Sequence, residues 1–449
     1  MDSSHDQSQG SHSNDHRPTK AQVQFELAVA ASRQAGIDIG VAALEDGHPD
    51  FLHEEGKILV RDAYLDRVGQ VVGGGQTVDG LLTGVTLYSL EGARISNVSE
   101  ALDAIDRQLG VGVATPNHAL SVTPAHGCPA TEPEEVAVGV SPDPGMCSGH
   151  DGSGVYIHVI DTGLVDDASA HPWLAGVTGD KDPIPPPPPT GQVPDHPDYS
   201  GHGTFVAGVA RCMAPLSEVH VARDFTPAGL LFETDIVTRL DQALNLGPDV
   251  ISLSAGGTSR NDLPLLSFES FWERYRHYKG VVLVASAGNN SDRRPFWPAA
   301  FPHVVSVGAL AANWRSRASF TGYGPWVDVY APGEDLVNAY ATRTYVCREP
   351  PHVGQIRHFH GMARWSGTSF STPMVSGLIA ARISRTGENG RQAADALLAA
   401  ARAQALPGVG PVIYPCETGE GRAHATRYGN HHHHHSADCW GHCCPGARC

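Results

Sequence analysis

Val155-Tyr156-Ile157-His158-Val159-Ile160 runs without a break into Asp161-Thr162-Gly163. Six residues rich in β-branched and aromatic side chains, closed by Asp and Gly, predict a buried strand that ends on a carboxylate. Short apolar runs of the same kind recur at 219–222, 250–253, 281–285 and 304–307. Helical patterns lie between them, as at 234–246. Strand-length runs alternating with helices predict an α/β domain: a doubly wound, mostly parallel sheet with helices on both faces. In an open parallel sheet the active site lies at the carboxyl ends of the strands. Asp161 therefore stands where a catalytic carboxylate would, although a lone Asp there reads equally well as a cap.

Two further segments carry chemistry. Ser200-Gly201-His202-Gly203-Thr204-Phe205-Val206-Ala207-Gly208 places a His where a helix begins, with Phe205, Val206 and Val209 on one face. The glycines strip side chains from around the imidazole, so backbone or substrate can approach it. Ser366-Gly367-Thr368-Ser369-Phe370-Ser371-Thr372-Pro373 leads into Met374-Val375-Ser376-Gly377-Leu378-Ile379. Pro373, expected in the first turn of that helix, sets Ser369 at the N-terminus. There the N–H groups and the helix dipole favour developing negative charge. A Ser hydroxyl is a weak nucleophile near neutral pH and needs a base such as His within hydrogen-bond reach. A carboxylate fixes the tautomer of that His.

Together the three segments, in the chain order Asp, His, Ser, resemble the subtilisin family of serine peptidases (peptidase S8). The matching residues are Asp161-Thr162-Gly163, His202-Gly203-Thr204 with Ala207-Gly208, and Gly367-Thr368-Ser369 with Pro373. The resemblance covers about 151–407. It implies a catalytic triad of Asp161, His202 and Ser369. Ser286-Ala287-Gly288-Asn289 is similar to the family's oxyanion segment, implying Asn289 as a donor beside the Ser369 N–H. Ser252-Leu253-Ser254-Ala255-Gly256-Gly257 is similar to the strand that pairs with the substrate backbone, implying Ser254, Ala255 and Gly256 as binding residues. Gly288 and Phe296, just before Trp297-Pro298, would line the pocket for the residue preceding the scissile bond (P1). An inward Phe296 ring would favour small or medium P1 residues such as Ala over Phe or Tyr; a ring turned into the core would not. The one departure is Ser371, where the family usually has Ala; this hydroxyl is expected to bond back to the helix carbonyls. No cofactor is required. Calcium is common in the family, but none of its sites can be matched here.

The expected organisation has five parts. Residues 1–20 form a polar tail with His5, His12 and His16. Residues 21–125 form a small α+β unit resembling, more weakly, the family's inhibitory prodomain. It carries an amphipathic helix capped by Asn97 and a strand over 111–115. Residues 126–150, rich in Pro and Gly, read as an exposed linker. Residues 151–407 form the peptidase-like domain. Residues 408–449 read as a flexible tail, with His431–435, His442, Cys439, Cys443, Cys444 and Cys449 at spacings that could also hold zinc.

The 449 residues carry a formal charge of −17, which disfavours a nucleic-acid partner. Residues 1–150 hold 21 Asp and Glu against 8 Lys and Arg, so the N-terminal third carries −13 of that charge. No apolar run is long enough to span a membrane. The start of the sequence lacks the pattern of a signal peptide, giving a cytoplasmic expectation with reduced Cys128, Cys147, Cys212, Cys347 and Cys416. The expected partners are a protein or peptide substrate and the chain's own N-terminal segment as inhibitor. The competing readings are a catalytically silent binding module of the same fold, or a processing protease for one partner peptide.

Overall fold

A computed structural model describes residues 29–415 except 31, 33–35, 45–48, 79, 81, 123–129, 147–150, 190, 193–198 and 226–228. The expectations for His5, His12, His16, Cys128, Cys147, Cys416 and the His- and Cys-rich end lie outside the described residues.

The N-terminal unit contains β1 (Ile39–Ala43), β2 (Pro49–Arg61), α1 (Leu65–Val72), β3 (Gln76–Val78), β4 (Val85–Ser89), α2 (Val98–Leu109) and β5 (Ala114–Ser121). Helix α2 forms as its sequence requires. Asn97 accepts the Glu100 N–H at 3.1 Å as its N-cap. Val98, Ala101, Leu102 and Ile105 pack on Ile58, Val60, Val68 and Val72. The last strand begins later than expected. Gly110 and Gly112 take φ of +110° and +81°, making a turn over 110–113, and extended backbone starts at Ala114.

The larger unit is built on β6 (Tyr156–Asp161), β7 (Thr178–Gly179), α3 (His202–Met213), β8 (Glu218–Arg223), β9 (Leu230–Phe232), α4 (Glu233–Asn245), β10 (Val250–Leu253), α5 (Ser267–Tyr275), β11 (Val282–Ser286), β12 (Val304–Leu310), β13 (Val329–Pro332), β14 (Leu336–Val346), β15 (Ile356–Trp365), α6 (Thr368–Thr386) and α7 (Gly390–Ala403). The main sheet runs β13-β12-β11-β10-β6-β8-β7, parallel throughout. One face is covered by α3, α6 and α7 through Phe205, Val209, Phe370, Val375, Ile379 and Leu397. The other is covered by α4 and α5 through Ile236, Leu240, Phe268 and Phe271. This is the doubly wound α/β architecture expected. The strand order turns at β6, flanked by β8 on one side and β10 on the other. The carboxyl end of β6, where Asp161 sits, is thus the crevice of the sheet.

Three features depart from the sequence reading. The long antiparallel hairpin β14–β15 was not anticipated. The expected 126–150 linker is tied down over its described part. Glu134 and Arg364 exchange backbone hydrogen bonds at 2.8 and 2.9 Å, as do Asp143 and Val337 at 2.9 Å each. The Ala130 N–H donates to Ser366 O at 2.8 Å, and Trp365 Nε1 to Thr131 O at 2.7 Å. Glu132 accepts from the Tyr345 hydroxyl and the Arg348 N–H at 2.9 and 2.7 Å. The exposed edges of the hairpin needed partners, and the Pro-rich segment supplies them. Third, order does not stop at Pro407. Residues 409–414 pack on Tyr330 through Val409, Val412 and Tyr414, with backbone hydrogen bonds of 2.9 Å on each side of Tyr330.

Candidate active site

Asp161 ends β6 and His202 opens α3, and the fold buries both completely. His202 Nδ1 lies 2.7 Å from Asp161 Oδ1, the same oxygen that accepts the Thr162 N–H at 2.8 Å. Facing a carboxylate, Nδ1 carries the proton, so Nε2 is the basic nitrogen. Nε2 is buried and has no hydrogen-bond partner among the described residues. Trp365 edge-on at 5.7 Å and Phe370 at 5.4 Å wall the ring.

The glycines beside His202 admit protein rather than substrate. A Cβ on Gly203 would lie 2.4 Å from Gly163 O, and one on Gly201, at φ +95°, would lie 2.5 Å from the Tyr340 ring. Asp182, which the sequence reading missed, braces this junction. Its Oδ2 accepts the Thr162 hydroxyl at 2.9 Å and the Gly201 N–H at 2.7 Å, and Thr162 Oγ1 accepts the Gly203 N–H at 3.0 Å. Only long-range placement brings Asp182 there, so no local motif signals it.

Ser369 is the second residue of α6 and fully buried. Pro373 lies in the second turn of that helix, not the first. Lacking an N–H, it leaves the carbonyl four residues back without its helical donor. That carbonyl is Ser369 O, and Ser254 Oγ donates to it at 2.9 Å. The pairing of Pro373 with Ser369 at i, i−4 was legible in the sequence. Ser371 does not bond back along the helix as expected. Its hydroxyl donates across to Ala331 O at 3.1 Å, because Gly333 packs so closely that a Cβ there would meet Ser371 Oγ at 2.2 Å.

Asn289 follows β11. Its Oδ1 accepts both the backbone N–H and the hydroxyl of Thr368 at 2.9 Å, which fixes the amide beside Ser369. Its Nδ2 is buried with no partner among the described residues. An orphaned buried donor costs about 1–3 kcal/mol, so this amide is held ready for an acceptor.

The cleft itself is occupied by the chain's own β5. On one side Ala119, Leu120 and Ser121 pair antiparallel with Phe232, Leu231 and Leu230. The Val122 N–H extends that side by donating to Gly229 O at 3.0 Å, and on the other side Ser121 and Gly256 exchange backbone hydrogen bonds at 3.0 Å. Leu120 and Val122 are fully buried in the same cluster as Ala255. Gly256 thus meets an added strand, whereas the Ser254 side chain, expected with it at the substrate strand, turns to the helix and donates to Ser369 O. Phe296 is buried with its ring between two backbone segments. A Cβ on Gly256 would come within 2.4 Å of it, and one on Gly288 within 2.9 Å. The ring points between those segments, not away from them.

Comparison with known proteins agrees with this arrangement. The family model described as the subtilase family matches residues 152–429, more than half of the chain. A thermophilic serine proteinase of Bacillus sp. (strain AK1) is 34% identical over 255 residues, covering 53% of this chain and 54% of that protein. Thermitase of Thermoactinomyces vulgaris is 32% identical over 239 residues, covering 51% of this chain and 74% of the relative. The chain thus spans about half the length of the Bacillus proteinase. Among solved structures, fervidolysin from Fervidobacterium pennivorans, a keratinolytic enzyme related to subtilisin, shares the fold. Its TM-score is 0.53 at 20% identity, covering 84% of this chain and 62% of that one. The chain belongs to the subtilase family, peptidase S8.

Proposed function

We propose that the chain is a serine endopeptidase whose N-terminal unit occupies the cleft as an inhibitor until the connecting segment is cut. The observation that carries this reading is β5, laid between Gly229 and Gly256 as an added antiparallel strand, the way an extended peptide substrate is bound.

In the proposed reaction Ser369 Oγ attacks the carbonyl and His202 Nε2 takes its proton. Asp161 holds the imidazole through Nδ1 and stabilises the imidazolium. The oxyanion is met by the Asn289 amide and the Ser369 backbone N–H at the start of α6. His202 then returns the proton to the leaving amine, and water hydrolyses the acyl-enzyme by the same route. Each step has a protein group, so the chemistry calls for no cofactor.

The cut is assigned to 123–129. Val122 is bonded to Gly229 in the cleft and Ala130 to Ser366, three residues before Ser369, so the segment between them spans the two anchors. The docked 130–146 segment is a poor site, because its backbone is already engaged on the hairpin. A ring in the position of Phe296 leaves room for small or medium P1 side chains only. Labelling with a fluorophosphonate, followed by peptide mapping, tests the nucleophile. The label should sit on Ser369 and be absent from Ser369→Ala. Processed protein that takes up no label would favour a silent binding module.

A further inference from the structure

Away from the cleft, a cavity of about 630 Å³ opens beside the C-terminal end of the sheet. This is within the range of small-molecule sites, roughly 300–1,000 Å³. Arg293, Arg317 and Arg402 line it together with Tyr323 and Tyr330. Among the described residues none of these three arginines takes part in an ion pair. In a chain of net charge −17, three guanidinium groups around one cavity, with Asp328 beside Arg402 as the one acid among them, need a reason. Asp328 is turned inward: its Oδ2 accepts the Ser306 N–H and hydroxyl at 3.0 and 3.2 Å.

The Arg317 guanidinium carbon lies 4.5 Å from the Tyr323 ring centroid; burial raises the Tyr330 phenol, and the nearby Arg317 charge opposes that rise. A guanidinium pinned on an aromatic face still presents a planar fork of donors, which matches the oxygens of a carboxylate or phosphate. Exposed Arg293 and Arg402 flank it. We propose that this cavity binds a small anion carrying two or more negative charges on carboxylate or phosphate oxygens, with Arg317 as its anchor.

The wall of the cavity also holds the segment that carries Asn289. The Gly322 N–H donates to Gly288 O at 2.8 Å, the Tyr323 N–H to Asp292 O at 2.9 Å, and Trp326 Nε1 to Arg293 O at 3.1 Å. An anion bridging Arg293 and Arg317 therefore joins the two sides of this contact.

The test is isothermal titration of the full chain carrying Ser369→Ala, so that self-cleavage does not intervene. Citrate and inorganic phosphate are titrated separately at ionic strength held constant with chloride. Saturable binding of one anion per chain is expected for at least one of them. It should weaken tenfold or more in Arg317→Gln and by a smaller factor in Arg402→Gln, with thermal melts confirming that both variants fold. If neither anion binds saturably, or binding is equal in the parent and both variants, the proposal is wrong. Should Arg317→Gln fail to fold, Arg293→Gln and Arg402→Gln, both at exposed positions, decide in its place.

Discussion

The contact between the N-terminal unit and the α/β domain differs in kind from the contacts that build the catalytic centre. Around His202 the walls are aromatic: Phe205, Tyr340, Trp365 and Phe370 pack on one another in edge-on and tilted pairs. Across the domain contact the links are largely charged. Arg260 pairs with Asp103 and Asp106 at 2.7 and 2.6 Å, Arg294 with Asp50 at 2.5 Å, and Arg61 with Glu269. The acidic excess of the N-terminal third thus faces arginines of the larger unit. The exposed pair Arg61–Glu269 is worth about 0–1 kcal/mol, while Arg260–Asp106 and Arg294–Asp50 are part-buried. The buried points are Leu120 and Val122 in the cleft, the pair His118–Glu233, and two small apolar clusters, Leu59 and Val85 on Leu266, and Leu52 and Ala119 on Leu230. The aromatic centre is permanent, whereas the domain contact is separable once its buried points are cut.

The sharpest way to probe the permanent side is Asn289→Ala. It should lower kcat by about 10²–10³ with KM nearly unchanged, because the amide meets charge that exists only in the transition state. Steady-state kinetics on the processed enzyme would show it; an unchanged kcat would remove Asn289 from the oxyanion site.

His118→Ala should do the same damage to the separable side. Nδ1 of His118 donates to Glu233 at 3.1 Å while Nε2 accepts the Arg260 N–H at 3.1 Å, so one ring bridges two segments of the larger unit. Removing it leaves Glu233 buried with only Ser267 as a side-chain partner at 3.0 Å. Leaving a buried carboxylate short of a donor in this way costs about 1–3 kcal/mol or more. In a Ser369→Ala background, the amides of β5 should exchange with deuterium roughly 100-fold faster or more, and those of α6 should be unaffected. Equal acceleration in both elements would mean the contact is not separable.

Phe296→Gly should have a smaller effect, confined to specificity. The ratio of kcat/KM for Phe over Ala at P1 should rise roughly tenfold, since a few methylenes of pocket volume are worth about 1–3 kcal/mol. A ratio that does not move would place the pocket elsewhere.

The smallest effect concerns stability against acid. Burial and the neighbouring His220 charge lower His158 from 6.5 to about 4, with Asp180 opposing. Its ring stacks on His220 at 5.6 Å, and its Nδ1 lies 2.9 Å from the Tyr156 hydroxyl. Between pH 6.5 and 4 the unfolded chain binds this proton and the folded chain does not. Stability therefore falls as pH drops through that window, by at most about 1.4 kcal/mol per unit. Melting curves of His158→Phe should show a flatter pH dependence there than the parent; identical slopes would contradict it.

The sequence carried the catalytic half well because its signals are local. A strand running into Asp161, a Gly-flanked His202 and a helix-opening Ser369 are each ambiguous alone, but each is complete within ten residues and the three in order carry the signal. The same held for the Asn97 cap and for the apolar runs of the parallel sheet. What escaped depends on partners far apart in the chain. Glu134 finds Arg364 and Asp143 finds Val337, so a Pro-rich stretch that looks like a linker becomes a strap on a hairpin. Asp182 braces the His202 turn from twenty residues away with no motif of its own. Ser254 and Ser369 are joined through the gap that Pro373 leaves in its helix, a link that was written in the spacing and not read.

The central claim, that the chain holds its own segment as a substrate across a working catalytic centre, is tested most directly by intact mass spectrometry of the purified protein beside Ser369→Ala. The wild type should yield two fragments whose masses place the cut within 123–129, while Ser369→Ala stays whole. Both proteins remaining intact over time and at every concentration, or both being cut at the same bond, would contradict it.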